Sequence, residues 1–134
     1  MRLLGIDYGE KKIGIAISDE SAKFAFPHGV IDNVSANSVL KALKIICDKN
    51  NIGKIIIGQS LTYKMQSNPI MKRIEKFKSF LEERLKIPVE YESEILTTKQ
   101  AKRMAPTPRV GENKKTHASA AALILQAYLD RNRS

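Results

Sequence analysis

Asp7, Glu94 and His117 have the residue types and settings for metal or proton chemistry. Asp7 stands in an apolar run, RLLGIDY, where a carboxylate costs free energy unless a cation, an arginine or good hydrogen bonds compensate it. Gly5 and Gly9 flank it, Gly14 faces it across an expected hairpin, and glycines beside an acid let a phosphate backbone come close. A turn-capping aspartate among ordinary hairpin glycines fits the same spacing. Glu92 and Glu94 fall at the end of a later strand, where alternation puts both on one face and Ser93 on the other. A solvated acidic edge would show the same pattern. His117 sits in the first turn of the last helix, and an imidazole there can ligate a metal, move a proton or bind phosphate when protonated; a lone histidine is more often structural. His28, beside Pro27 in an expected turn, offers less. Together Asp7, Glu94 and His117 would supply hard oxygens and one nitrogen, a set suited to Mg²⁺ or Mn²⁺.

The elements that must position these groups follow from pattern. Arg2 to Tyr8 and Lys12 to Ser18 are short apolar runs joined by Gly9-Glu10-Lys11, which reads as a hairpin, and Phe24 to Asp32 completes a meander whose Pro27 marks an edge strand or a bulge. Ser35 can cap a helix reaching Asn50, with Val39, Leu40, Leu43, Ile46 and Cys47 on one face. Lys54 to Gly58 is an unbroken β-branched run, as expected of a strand covered on both faces. After a polar loop, Pro69 can open a helix with the stripe Ile70, Ile74, Phe77 and Leu81, and Pro88 to Glu92 reads as a fifth strand. Thr97 caps a short helix through Met104, which the prolines of APTPRVG end. Asn113 or Thr116 opens the last helix, whose Ala118, Ala121, Ala122, Leu125 and Leu129 would let its backbone lie close to a sheet. A meander feeding helix-separated strands implies one mixed five-stranded sheet, antiparallel first and parallel later, with helices on both faces: an α/β, RNase H-like arrangement.

Composition bounds the function. The 134 residues are expected to form one domain, residues 1–134, large enough to bury a core without staples. No apolar run approaches the roughly 18 residues of a membrane span, and the start of the chain reads as a strand, not a signal peptide. The single Cys47 excludes a disulfide framework or a Cys-rich zinc site and fits a reducing cytoplasm. No nucleophile elbow, dinucleotide loop or Walker-type loop is present. A net charge of +9 points to a polyanionic partner, and the densest basic segment, from Lys99 to Lys115, holds Lys99, Lys102, Arg103, Arg109, Lys114 and Lys115 against Glu112 alone.

LLGIDYGEKKIGIAISDE (residues 3–20) resembles the opening of the YqgF (RuvX-like) family of pre-16S rRNA nucleases, which are related to Holliday-junction resolvases. The resemblance extends over nearly the whole chain, through IIIGQSL (55–61), SEILTTKQA (93–101) and KKTHASAAALILQAYLD (114–130). It implies an RNase H-like fold and metal-dependent phosphodiester hydrolysis, with Asp7 and Glu94 in the acidic site. The family's third acid falls at His117, and Ser93, Ile95 and Ser60 also depart from its usual Asp, Arg and Pro. Replacing the third carboxylate by imidazole removes one negative charge and one bidentate ligand from a site that would clamp two cations. Glu92 could compensate if it reaches the cluster.

The expected function is therefore a cytoplasmic, Mg²⁺- or Mn²⁺-dependent nuclease acting on structured RNA, in particular the 5′ end of pre-16S rRNA, with ribosomal precursor particles as its setting. Asp7, Glu94 and His117 would serve as both metal ligands and catalytic groups, and the basic segment would contact phosphates. A non-catalytic RNA-binding module and a DNA Holliday-junction resolvase are the alternatives. A kinase-like nucleotide-binding reading of the Asp-x-Gly strand is opposed by length, because such proteins close ATP between two domains of this kind.

Overall fold

The computed structural model describes residues 1–59, 69–93 and 113–132, which form β1 (Arg2–Asp7), β2 (Lys12–Ser18), β3 (Ala25–Asp32), α1 (Ala36–Asn50), β4 (Ile52–Gln59), α2 (Pro69–Leu85), β5 (Val89–Ser93) and α3 (Asn113–Arg131). The expected short helix from Thr97 to Met104 lies outside the described residues. One sheet runs in the order β3-β2-β1-β4-β5. Its first three strands pair antiparallel, and β1 with β4 and β4 with β5 pair parallel, as the meander followed by helix-separated strands requires.

Local chemistry sets the element ends. The Ser35 hydroxyl accepts from the Ser38 amide at 3.1 Å while the Ser38 hydroxyl accepts from the Ser35 amide at 3.2 Å, a reciprocal cap that opens α1. Asn51, left-handed at φ 52°, closes that helix and turns the chain directly into β4. Opposite β3, Ile15 pairs with Gly29 and Ala16 with Pro27, so His28 is the extra residue of a bulge. His28 thus belongs to a strand, not to the expected turn; Pro27 marks both an edge strand and the bulge.

The two faces of the sheet are built differently. Leu4, Ile6, Ile13, Ile15, Ile55 and Ile57 project toward α1 and α2 and meet Val39, Leu43, Cys47, Met71, Ile74, Phe77 and Leu81 in the larger core. On the other face Leu3, Ala16 and Ile56 meet Ala121, Ile124, Leu125, Tyr128 and Leu129 of α3. There the helix rests on backbone. A Cβ on Gly5 would lie 2.8 Å from Leu125 Cβ and 2.9 Å from the Ala121 carbonyl oxygen, and one on Gly14 would overlap the His117 carbonyl oxygen. No described helix is long and apolar enough to cross a membrane.

Because the obstacles are mostly helix backbone, adding a methyl group at these glycines forces α3 off the sheet. Gly14→Ala and Gly5→Ala are each expected to destabilise the protein by about 2–3 kcal/mol in chemical denaturation. Gly29→Ala, with nothing within 4 Å of its Cβ position, is expected to change stability by no more than about 0.5 kcal/mol.

Candidate active site

β1, β4 and β5 all run toward one end of the sheet, and the crevice beyond the carboxyl ends of parallel strands is where such sheets place ligands. Asp7 is the last residue of β1. It follows Leu3 and Gly5 on alternate positions, so its side chain belongs to the α3 face. Asp7 pairs with Gly14, and Gly14 is the residue against which the His117 backbone packs. The close approach of helix to sheet therefore brings the first turns of α3 to the same end and the same face as the acid. Both Asp7 and His117 are half-buried.

Continuing the β1–β4 register one step beyond Ile6–Ile57 sets Asp7 level with Gly58, which pairs with Glu92. Asp7 and Glu92 are thus two strands apart, about 10 Å between Cα atoms, with a glycine between them. By the same register and alternation Glu92 also belongs to the α3 face, where Arg131 engages it. Its carboxylate is buried, 3% exposed, and Oε1 lies 2.6 Å from Nη2 of Arg131 in the last turn of α3. The pair is close but not aligned as a hydrogen bond, so Oε1 has no donor among the described residues. Burial pushes the Glu92 carboxyl up, and the Arg131 charge opposes this only in part. Glu92 is therefore not the solvated edge residue its position suggested.

Beside it, Lys54 holds Glu90 Oε2 at 2.6 Å, and the Tyr128 hydroxyl donates to the same oxygen at 2.8 Å. The Lys54 hydrogen bond, then that of Tyr128, draws the Glu90 carboxyl below its usual range. These groups fasten the C-terminal half of α3 to β4 and β5. They were invisible in the sequence, apart from the alternation of Glu90 and Glu92.

Among the described residues no group of three histidine, cysteine or acidic side chains gathers into a metal site. Glu94, the expected third donor, lies outside the described residues, as do Lys99, Lys102, Arg103 and Arg109. Lys114 and Lys115 fall in the first turn of α3, at the end of the helix nearest Asp7. The two donors that are described suit a divalent cation in kind. Asp7 offers carboxylate oxygens that no described hydrogen bond or ion pair engages, and His117 offers an imidazole nitrogen. Cys47 is not an alternative nucleophile, because burial and then the Asp48 charge push its thiol up to about 11.

A family model described as "RuvX: Holliday junction resolvase" matches residues 1–131. A protein named "Putative pre-16S rRNA nuclease" from Caldanaerobacter subterraneus is 37% identical over 134 residues, covering 97% of this chain and 96% of the relative. A protein of the same name from Syntrophomonas wolfei is 35% identical over 133 residues, covering 97% and 94%. Among solved structures, Thermus thermophilus RuvC in complex with a Holliday junction substrate superposes with a TM-score of 0.64 at 13% identity, covering 98% of this chain and 95% of that one. The fowlpox virus resolvase bound to Holliday junction DNA gives 0.58 at 12% identity and covers both chains fully. At those identities the likeness is one of fold, an RNase H-like sheet.

The Glu92–Arg131 pair has a measurable asymmetry, since the carboxylate is buried and the guanidinium is 60% exposed. Arg131→Ala strands a buried negative charge and is expected to cost about 1–3 kcal/mol at neutral pH. Glu92→Gln removes that charge and leaves a solvated arginine, so stability is expected to hold or rise. An acid whose carboxyl is raised by folding stabilises the protein below its unfolded pKa and loses that contribution as pH rises through the folded value. Denaturation curves from pH 4 to 8 should therefore show a smaller loss of stability with rising pH in Glu92→Gln than in the wild type.

Proposed function

The chain belongs to the RuvX family of nucleases, and from that premise we propose that it acts as one domain to hydrolyse phosphodiester bonds in structured RNA, at the 5′ end of pre-16S rRNA, in the cytoplasm. The observation that carries the site is Asp7: a half-buried carboxylate at a strand end, with no described partner, facing the start of α3. A carboxylate at a strand end whose oxygens no described group engages is open to a divalent cation. In this reading Asp7, Glu94 and His117 hold a divalent cation, Mg²⁺ or Mn²⁺, which when bound supplies an activated water and a polarised phosphate. Asp7 would hold the cation at the end of β1; the glycines near it do not open space for a phosphate as their spacing suggested, because α3 fills the space at Gly5 and Gly14 and the Lys12 carbonyl oxygen that at Gly9. His117 completes the donor set or gives its proton to the leaving oxygen, a role the family's usual acid performs less readily at neutral pH. Lys99, Lys102, Arg103, Arg109, Lys114 and Lys115 grip backbone phosphates, a contribution that carries no sequence preference and weakens with salt. Ribosomal precursor particles are the setting this substrate implies.

Asp7→Asn is expected to lower Mg²⁺- or Mn²⁺-dependent cleavage of a pre-16S rRNA fragment by about a hundredfold or more, with the melting temperature preserved. Full activity in that variant would overturn the site. The His117 departure favours a second reading, an RNA-binding module without hydrolysis, and it predicts no cleavage in either metal while salt-sensitive binding survives Asp7→Asn and Glu94→Gln. A four-way DNA junction run beside the RNA separates a resolvase from an RNA nuclease. For the basic segment, Lys102→Ala should reduce the slope of log affinity against log salt by about one phosphate contact.

A further inference from the structure

On the opposite side of the same strand end lies a second feature that the proposed site does not use. Tyr8 follows Asp7, and alternation sends its ring to the α1–α2 face, where it packs on Phe77 with ring centroids 4.9 Å apart. Tyr8, Phe77 and Phe80 line a groove of about 410 Å³, within the size range of small-molecule pockets. Phe77 is buried, while Tyr8 and Phe80 are half-buried, with the Arg84 guanidinium over one face of Phe80. The rim is cationic. Arg73 and Lys76 line it, and Arg73 is 62% exposed and only loosely paired with Glu10 at 3.8 Å. Asn33, also on the rim, is committed through its side-chain amide to the Gly9 carbonyl at 2.9 Å and so steadies the turn that follows Tyr8.

Aromatic faces bordered by arginine and lysine are the combination that holds unpaired bases: the rings stack and the cations answer the phosphates. A duplex keeps its bases stacked inside and has none to offer such a groove. We propose that the Tyr8–Phe77–Phe80 groove binds an unpaired nucleobase of the substrate strand whose neighbouring phosphate lies at Asp7. This rests on the nuclease reading for its ligand class and adds a requirement for a single-stranded nucleotide beside the cut. Asp7 and Tyr8 are adjacent residues, about 3.8 Å apart at Cα, with side chains on opposite faces. A strand crossing the rim of the sheet there would present its phosphate to one face and its base to the other.

The test uses the full chain carrying Asp7→Asn, so that binding is read without cleavage. The probes are a hairpin RNA with a single-stranded overhang containing 2-aminopurine and the same hairpin blunt-ended, at one fixed salt concentration. The expected result is quenching of 2-aminopurine on binding, and about a tenfold loss of overhang affinity in Phe80→Ala with blunt-hairpin affinity unchanged. Phe80→Tyr should retain the overhang preference. Arg73→Ala, a surface change that leaves the fold intact, should weaken overhang binding about threefold. Wild-type overhang affinity in both Phe80→Ala and Arg73→Ala, or equal losses on both hairpins, would overturn the groove. Failure of the nuclease reading shows separately, as no cleavage of either hairpin by the wild-type chain in Mg²⁺ or Mn²⁺, whatever the groove variants bind.

Discussion

Much of the architecture depends on how closely α3 can approach the sheet. At Gly14 the helix backbone meets the strand with no side chain between, and at Gly5 the Ala121 carbonyl and the Leu125 side chain take the space a Cβ would need. Interiors packed at crystal-like density do not absorb such contacts by yielding, so the helix has one seat. That seat fixes three things at once. It buries Leu3, Ala16 and Ile56 beneath Leu125 and Leu129, it brings the His117 end of the helix to the Asp7 end of β1, and it leads Arg131 and Tyr128 to the acids of β5. A helix standing off at the usual distance on larger side chains would satisfy burial but would not make the same site.

The opposite face obeys a looser rule. There β-branched and leucine side chains fill the space between the sheet and two helices, and shape is distributed over many contacts instead of two glycines. Adjacent residues of one strand end therefore belong to different environments: Asp7 to the tightly seated side, Tyr8 to the apolar one. The sheet divides charge chemistry from aromatic surface with a single peptide unit.

Most of the fold was legible because it is local. Ser35 and Asn51 bracket α1 by capping chemistry, Pro69 opens α2, and the stripe through Ile74, Phe77 and Leu81 is buried as its spacing implies. The small-residue face of the last helix signalled close packing, and the glycines of the first two strands turned out to be its counterpart. What could not be read depends on pairing between distant segments. Nothing near Glu92 announces Arg131, so a buried carboxylate paired with an exposed arginine looked like an exposed acidic edge. β4 begins at Ile52, before the expected Lys54, and takes in Gly53, where the distant Met1 side chain fills the space a Cβ would take. Pro27 announced a bulge, but only the register with β2 identifies His28 as the extra residue. Of the proposed site, the identity of Asp7 and His117 came from residue type and resemblance, whereas their common end and face needed the register and the seating of α3.

The bulge at His28 also shapes how this molecule behaves in company. β3 is an outer strand, and Phe24 and Phe26 near its start are each 56% exposed. An outer strand with exposed aromatics would ordinarily invite another chain to extend the sheet. Here the invitation is withdrawn within one turn of the zipper: Pro27 supplies no amide, and the residue after it breaks the alternation a newcomer would have to copy. The edge is thereby closed to sheet extension by a proline and one surplus residue, without any helix or loop having to cover it.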